Sequence, residues 1–169
     1  AQEALAQRWH GYGDGQIRFD ASIHAEYTSR SELWKWTADF AKANGLGMHV
    51  HISETRKEHA ECIQRHGKTP VQTLDRYGVW DVRGIAAHCV YTTAEDWAIL
   101  AAKGVSAVHN PCSNLKLGSG IAPVPAMKAA GVNVCLGTDG VSSNNNHDMF
   151  EEMKLAAILH NGAACDPLA

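Results

Sequence analysis

The stretch that decides the fold is Gly47-Met48-His49-Val50-His51-Ile52-Ser53-Glu54, which lies between two helix-like segments. Successive side chains of a strand point to opposite faces, so His49 and His51 share one face. Glu54 follows where the strand gives way to a loop. Imidazole and carboxylate groups at the exit of a strand suit a divalent metal with an acid–base group beside it. The alternative is a buried strand with one hydrogen-bonded histidine, and the rest of the chain decides between them.

Strand-like and helix-like segments alternate along the whole chain. Besides the opening stretch, strands are predicted at 16–24, 84–90, 105–109 and 132–136, and the main helices at 33–43, 55–65, 69–77, 94–103, 123–130 and 148–160. Ser29 with Glu32 is expected to cap the first of these helices, and loops are expected at 110–121 and 141–147. Apolar strands joined by helices indicate a parallel sheet covered by helices, which is an α/β fold.

Polar side chains lie at the ends of all five predicted strands. Four strands end at or near a histidine (His24, His51, His88, His109), and the fifth leads to Asp139. A single histidine at a strand end means little. In parallel α/β folds, however, all the carboxyl ends lie on one side, and ligands bind there. Five polar groups at five successive strand ends are hard to attribute to packing, so we expect them to line one site.

The residue types at these ends favour a catalytic metal site. Histidine and aspartate without clustered cysteines are typical of an open catalytic site, whereas closed structural zinc sites are rich in cysteine. Zn²⁺ suits mixed imidazole and carboxylate ligands, with Fe²⁺ as the alternative. Such an ion lowers the pKa of a bound water towards neutrality and so provides a nucleophile.

Composition excludes several other classes of function. The net charge of −3 offers no basic surface for nucleic acid, and no run approaches the roughly 18 apolar residues that span a bilayer. The five cysteines include no C-x-x-C pair, which favours reduced thiols and a cytoplasmic location without a signal peptide. No Gly-x-Gly-x-x-Gly follows a strand, which argues against dinucleotide binding. We therefore expect a small-molecule substrate, no nucleic-acid or membrane partner, and leave oligomerisation open.

Four motifs in fixed order carry a family resemblance. They are His51-x-x-Glu54, His88-Cys89-Val90, His109-Asn110-Pro111-Cys112-Ser113-Asn114-Leu115-Lys116-Leu117 and Gly137-Thr138-Asp139-Gly140. The set resembles the amidohydrolase superfamily, and most of all the 5′-methylthioadenosine/S-adenosylhomocysteine deaminases and related chlorohydrolases. The resemblance implies a partial (β/α)₈ TIM barrel containing strands 4 to 8 with their helices. Residues 1–169 would form a single segment, the C-terminal half of a barrel whose strands 1–3 are absent.

The resemblance also implies a role for each strand-end residue. His51 would be a metal ligand, and Asp139 would touch the metal and take a proton from the bound water. His88 would orient or polarise the attacking hydroxide. Glu54 would pass a proton to a ring nitrogen of the substrate, which His24 would also contact. The implied reaction is hydrolytic deamination of an adenine nucleoside (S-adenosylhomocysteine, methylthioadenosine or adenosine) by a metal-bound hydroxide.

Two further histidines and one loop receive other assignments. His49 is expected to lie one layer deeper than His51, in the core. The pair His49-x-His51 superficially matches the His-x-His that the family places on its first strand, but Glu54 and the downstream motifs fit strands five to eight in order. His109 is not assigned as a metal ligand. The loop 113–120 is expected to help wall the pocket.

The segment would hold only part of the metal site. His51 and Asp139 are two ligands, fewer than the three of a usual catalytic zinc, so the remaining ligands are expected upstream of Ala1. The segment alone is therefore expected to be inactive. Guanine-type deamination and triazine dechlorination are the alternatives that use the same residues. A different class of alternative is an inactive α/β fragment that only binds a partner.

Overall fold

Five parallel strands form a single sheet in the computed structural model of the chain, which describes residues 1–168. They lie side by side in the order of the sequence, and every neighbouring pair is parallel. The strands are β1 (Ala21–Ser22), β2 (Met48–Ile52), β3 (Gly84–His88), β4 (Ser106–His109) and β5 (Asn133–Leu136). The prediction of a parallel α/β sheet is confirmed.

Helices precede, separate and follow these strands. They are α1 (Gln2–Trp9), α2 (Tyr12–Gly15), α3 (Ser31–Ala43), α4 (Arg56–His66), α5 (Pro70–Asp75), α6 (Ala94–Ala102), α7 (Pro111–Lys116), α8 (Val124–Ala129), α9 (Val141–Asn144) and α10 (Met149–Ala164). The side chains of Thr55 and Thr93 cap α4 and α6. Within residues 1–168, no helix has both the length and the apolar character needed to cross a bilayer.

The hydrophobic core lies between the helices and one face of the sheet. On β2, the side chains of Met48, Val50 and Ile52 are fully buried in this core. Burying each such side chain stabilises the fold by roughly 1.5–3 kcal/mol relative to leaving it exposed to water. On the opposite face of β2, His51 is half-buried and His49 is exposed. The prediction that His49 belongs to the core is wrong, because the helices of residues 1–168 cover only the other face.

The first strand is much shorter than the predicted strand 16–24. Its N-terminal part folds back on the preceding loop, where the Gly11 amide donates to the Ile17 carbonyl at 2.9 Å. On the free edge of β1, the side-chain amide of Gln2 pairs with the backbone of Ser22, donating at 2.8 Å and accepting at 2.9 Å. A side chain thus satisfies the edge groups that a further strand would pair.

The start of α3 differs from the predicted capping box of Ser29 and Glu32. The helix begins at Ser31, and its N-cap residue, Arg30, makes no side-chain capping bond. The Ser29 hydroxyl instead accepts a hydrogen bond from the indole N–H of Trp34 at 2.9 Å. Trp34 is 2% exposed, and a buried indole N–H needs a hydrogen-bond acceptor. The Ser29 hydroxyl supplies this acceptor and does not cap the helix.

Two predicted loops contain short helices. The segment 110–121 includes α7, which has Pro111 in its first turn. Proline is tolerated there because N–H groups of the first turn have no hydrogen-bond acceptor within the helix. The segment 141–147 includes the single turn of α9. Asp148 caps α10 through the Phe150 amide, and the helix runs to Ala164 rather than ending at residue 160.

Candidate metal centre and active site

Three of the strand-end residues converge on one point. His51, His88 and Asp139 each offer a ligand atom, and these atoms all lie within 4.8 Å of one another. The rings of His51 and His88 are stacked, with centroids 5.4 Å apart. His88 is buried, whereas His51 and Asp139 are half-buried and open to a ligand from the uncovered face. Imidazole and carboxylate donors at this spacing fit a divalent ion such as Zn²⁺.

The backbone bends sharply at these strand ends. Ser53, His88 and Asp139 have φ values of 48°, 73° and 59°, a left-handed region that non-glycine residues rarely enter. In the sheet register, His88 is paired with Ile52, whose side chain lies in the core. A regular strand would direct His88 into the core as well, and the left-handed turn brings it to the site instead. Such strain is typical of residues held in place for function.

The neighbours of His51 fix which ring nitrogen faces the site. Nδ1 of His51 lies 2.7 Å from the carbonyl oxygen of His24. A carbonyl oxygen only accepts hydrogen bonds, so Nδ1 carries the proton. The Nε2 of His51 is left with a free electron pair, which is the arrangement found in metal-ligating histidines.

Asp139 is held as an ionised carboxylate. The Ser113 hydroxyl donates to Oδ2 at 2.7 Å, and the Gly140 amide donates to Oδ1 at 2.7 Å. Burial alone would raise the pKa of Asp139. These two hydrogen bonds, with the nearby charges of His88 and His51, outweigh burial and lower the pKa of Asp139 below its usual value.

His88 has one ring nitrogen bound within the protein and the other facing Glu54. Its Nδ1 lies 2.9 Å from Oδ1 of Asn114 and 3.3 Å from Nδ2 of Asn110. The shorter contact is the one in which Nδ1–H donates to the Asn114 oxygen. Nε2 then faces the site, 3.8 Å from Oε2 of Glu54.

Glu54 is fixed by its backbone as well as by its side chain. Its half-buried carboxylate accepts a hydrogen bond from the Ser119 hydroxyl at 3.2 Å. Its amide donates to the carboxylate of Glu58 at 2.8 Å, and the amide of Ser53 donates to the same carboxylate at 2.8 Å. Burial raises the pKa of Glu58, although these amide hydrogen bonds oppose the shift. Glu58 therefore anchors the turn that carries Glu54.

His24 lies at the exposed rim of this cluster. Its ring centroid is 4.8 Å from that of His51, and its Nδ1 is 3.3 Å from the Thr28 hydroxyl. The backbone amide of His51 donates to its carbonyl at 3.0 Å. The imidazole of His24 is therefore placed beside the metal-binding group but on its solvent side.

His109 does not line the site. It follows Ala107 on the same face of β4, and Ala107 lies in the core. The buried ring of His109 packs against His160 of α10, with centroids 5.6 Å apart. Among the described residues, neither of its ring nitrogens has a hydrogen-bond partner. Burial is the main cause that lowers the pKa of His109 to about 4, so the ring is neutral. The expectation that all five strand ends line one site is wrong for this residue.

Several residues that hold the site received no individual role from the sequence, although most of them lie in the third motif or in the loop 113–120. They are Glu58, Asn110, Ser113, Asn114 and Ser119. One signal was available: Asn110 and Asn114 are four residues apart in a segment with Pro111 at a helix start, which places them on one helical face. The carboxylate of Glu58 also belongs to the capping box with Thr55.

Comparisons with known proteins place the chain in a family. The whole chain, residues 1–169, matches the model of the amidohydrolase family. It is 48% identical to a 5-methylthioadenosine/S-adenosylhomocysteine deaminase of Thermoanaerobacter pseudethanolicus, over 98% of this chain and 38% of that protein. A solved adenosine deaminase from Xanthomonas campestris with bound zinc has a TM-score of 0.90 and 36% identity, over 99% of this chain and 38% of its own. Atrazine chlorohydrolase from Arthrobacter aurescens, complexed with zinc, has a TM-score of 0.86 and 25% identity, over 95% of this chain and 36% of its own.

These matches confirm the resemblance that the motifs carry. The five-stranded sheet corresponds to part of the TIM barrel in the solved neighbours, so the prediction of a partial barrel is confirmed. The chain spans 38% of the length of the Thermoanaerobacter relative. The strand ends that meet around His51 and Asp139 are thus the barrel ends at which such folds bind ligands. The chain belongs to the amidohydrolase family.

Proposed function

We propose that this chain is part of a metal-dependent aminohydrolase that deaminates an adenine nucleoside such as S-adenosylhomocysteine, methylthioadenosine or adenosine. The observation that carries the proposal is the convergence of His51, His88 and Asp139 within 4.8 Å, with Glu54 3.8 Å from His88. The names of the relatives at 48% and 36% identity support a nucleoside substrate over a triazine.

The donor set of this chain fits a divalent ion. His51 presents Nε2, because its Nδ1 donates to a carbonyl, and Asp139 presents an ionised carboxylate. Zn²⁺ is the first choice and Fe²⁺ the second, since both accept mixed nitrogen and oxygen donors. The bound ion would lower the pKa of a water molecule and so make it a nucleophile near neutral pH.

The side chains of this chain would handle the protons of the reaction. Asp139 takes a proton from the attacking water, and His88 orients that water through Nε2. Glu54 gives a proton to the ring nitrogen next to the carbon that is attacked, which becomes tetrahedral. Asp139 then gives its proton to the amine, which departs as ammonia, and the hydroxyl on the same carbon returns a proton to Glu54 as the carbonyl forms. Each such acid–base contribution is typically worth about 10²–10⁴ in rate.

His24 would contact the substrate from the rim. Its ring is exposed, lies beside His51 and has only a 3.3 Å contact with Thr28 at Nδ1. An imidazole in this position can stack on the substrate or form a hydrogen bond with it. His24 is therefore proposed as a binding residue and not as a proton carrier.

We also propose that the rest of the barrel, with the remaining metal ligands, lies upstream of Ala1. His51 and Asp139 supply two ligands, whereas a catalytic zinc usually has three protein ligands. The 169-residue chain by itself is then expected to be inactive. Deamination of an adenosine-type nucleoside by the purified 169-residue chain would contradict this proposal. The cytoplasmic location, the absence of a nucleic-acid partner and the oligomeric state stay predictions.

The activity is tested with the protein as its gene encodes it, purified and loaded with zinc. We expect ammonia release from at least one of the three nucleosides, and a loss of about 10²–10⁴ in kcat in a Glu54→Gln variant. Ammonia release from guanine, or chloride release from a triazine, would instead assign one of the runner-up reactions. A protein that binds no metal and turns over none of these substrates would favour the non-enzymatic, partner-binding alternative.

A further inference from the structure

We propose that residues 113–119, called here the α7 segment, position all three reactive side chains of the site at once. Ser113 positions Asp139, Asn114 positions His88, and Ser119 positions Glu54. None of these three positioning residues is a catalytic residue, because each acts through the side chain that it contacts. The inference rests on the proposed function, since it takes Asp139, His88 and Glu54 as the reacting groups.

Three hydrogen bonds carry the inference. The Ser113 hydroxyl donates to Oδ2 of Asp139 at 2.7 Å. Oδ1 of Asn114 lies 2.9 Å from Nδ1 of His88. The Ser119 hydroxyl donates to Oε1 of Glu54 at 3.2 Å. The three partners come from the ends of three different strands, so one short segment ties together groups that the sheet only brings near.

The three positioning residues are themselves buried. Ser113 and Asn114 are 0% exposed, and Ser119 is 4% exposed. His109, at the end of the strand before them, packs against His160 of α10 and does not reach the site. The polar contacts of this β/α unit with the reactive groups are therefore made by α7 and the loop that follows it.

The α7 segment is anchored from both ends. At its start, the buried carboxylate of Glu152 accepts a hydrogen bond from the Cys112 amide at 3.1 Å. At its end, the Tyr91 hydroxyl donates to the Ser119 carbonyl at 2.7 Å. Helix α10 and the loop after β3 thus hold the segment, which gives it the rigidity that a positioning element needs.

Each hydrogen bond selects one chemical form of its partner. By accepting from Nδ1–H, Asn114 leaves Nε2 of His88 free on the side of the site. By donating to Oδ2, Ser113 favours the ionised form of Asp139. By binding Oε1, Ser119 leaves Oε2 of Glu54 as the oxygen that faces His88 at 3.8 Å. Oε2 is then the oxygen of Glu54 that carries the transferred proton.

The test compares four variants of the protein as its gene encodes it. Zinc affinity is measured by chelator competition, kcat and KM are measured separately, and the unfolding midpoint is recorded for each. Ser113→Ala is expected to weaken zinc binding about 10–100-fold, because Ser113 holds a metal ligand. Asn114→Leu is expected to lower kcat about 10-fold, because Asn114 holds His88, which orients the attacking water. Ser119→Ala is expected to lower kcat about 10-fold with KM and zinc affinity unchanged. Ser106→Ala is the matched control, because its hydroxyl likewise makes a side-chain hydrogen bond, here as the acceptor from Nδ2 of Asn133 at 2.8 Å, but at the opposite end of β4.

Conservative variants and a double mutant separate positioning from folding. Ser113→Thr keeps the donor and is expected to restore most of the zinc affinity, and Asn114→Asp keeps the acceptor and is expected to restore most of kcat. In an Asp139→Asn background, whose zinc affinity is weakened, Ser113→Ala is expected to weaken zinc binding further by less than about twofold. Equal losses of zinc affinity from Ser113→Ala in the two backgrounds would overturn the inference alone. Unchanged zinc affinity in Ser113→Ala, with unchanged kcat in Asn114→Leu and Ser119→Ala, would do the same if Asp139→Asn itself weakens zinc binding. Unchanged zinc binding in Asp139→Asn would overturn the proposed function.

Discussion

His88 and His109 end neighbouring strands and are both 1% exposed, yet they serve opposite sides of the sheet. His88 turns through a left-handed backbone to the open side, where Asn114 and Asp139 surround it. His109 stays on the helix side against His160, and among the described residues its ring nitrogens have no partner.

The difference shows that a histidine at a strand end is not informative by itself. Strand alternation decides the face, and a local departure such as the φ of 73° at His88 can reverse that decision. The hydrogen-bond partners then separate the two cases. One ring nitrogen of His88 is hydrogen-bonded to Asn114, and the other faces Glu54 in the site. Neither ring nitrogen of His109 has a hydrogen-bond partner among the described residues.

Replacing each histidine by leucine should give the largest contrast. His88→Leu is expected to lower kcat by about 10²–10⁴, because it removes the nitrogen that faces Glu54 and leaves the Asn114 oxygen unpaired. His109→Leu should leave kcat within about threefold, since it breaks no hydrogen bond in the described structure. Steady-state kinetics of the two variants measures this contrast. A loss of kcat in His109→Leu as large as that in His88→Leu would erase the distinction.

His109 should instead control stability in acid. Burial holds its folded-state pKa at about 4, below its usual value of about 6.5. As pH falls below 6.5, the unfolded chain takes up a proton that the folded chain does not, so the folded state loses stability. The loss attributable to His109 should reach about 3 kcal/mol by pH 4 and then level off.

Urea unfolding at pH 7, 5 and 4 measures this dependence. His109→Leu is the control, because it removes the titrating group and keeps the helix-side packing. The free energy of unfolding of the leucine variant should fall less between pH 7 and pH 4 than that of the parent. Parallel pH profiles for the two proteins would show that His109 is not buried as described.

The contrast also marks how far the sequence predicts this molecule. The alternation of strands and helices depends on neighbours in sequence, and this prediction is confirmed. The face of His109 and the turn at His88 were not predicted, since no glycine marks the left-handed position.

The residues that hydrogen-bond the reactive groups are far from them in the sequence, so local patterns do not predict these pairs. Asn114 is 26 residues from His88, and Ser119 is 65 residues from Glu54. Only the side-by-side arrangement of the strands in the sheet brings such pairs together, so spacing in the sequence gives no sign of them. Side-chain competition explains the error at Ser29, which binds the indole of Trp34 instead of capping α3.

Adding a methyl group at Gly137, on the side of the sheet that carries the site, should have a smaller effect than the histidine replacements. A Cβ there would lie 2.6 Å from Oδ1 of Asn110 and 2.7 Å from Cγ1 of Val108. Gly137→Ala is expected to lower the free energy of unfolding by about 1–3 kcal/mol, and to lower kcat because Asn110 also contacts His88. The control is Gly140→Ala, since its Cβ would meet nothing within 4 Å and its φ is −79°. Equal effects from the two alanines would rule out the close contact at Gly137.

A change on the helix side should give the smallest effect. Gly162 lies in the last turn of α10, and an added Cβ would meet nothing within 4 Å. Gly162→Ala is expected to raise the free energy of unfolding by about 0.5–1 kcal/mol, because alanine favours the helix. Zinc affinity should not change. Tighter or weaker zinc binding in this variant would mean that α10 is coupled to the site more strongly than the contacts indicate.

The position of the metal distinguishes the two histidine sites most directly. Anomalous diffraction at the zinc edge, from crystals of the zinc-loaded protein, locates the ion independently of activity. We expect one peak at the strand ends, about 2.0–2.2 Å from Nε2 of His51 and from a carboxylate oxygen of Asp139. A peak between His109 and His160, or none beside His51 and Asp139, would contradict the assignment of the metal centre.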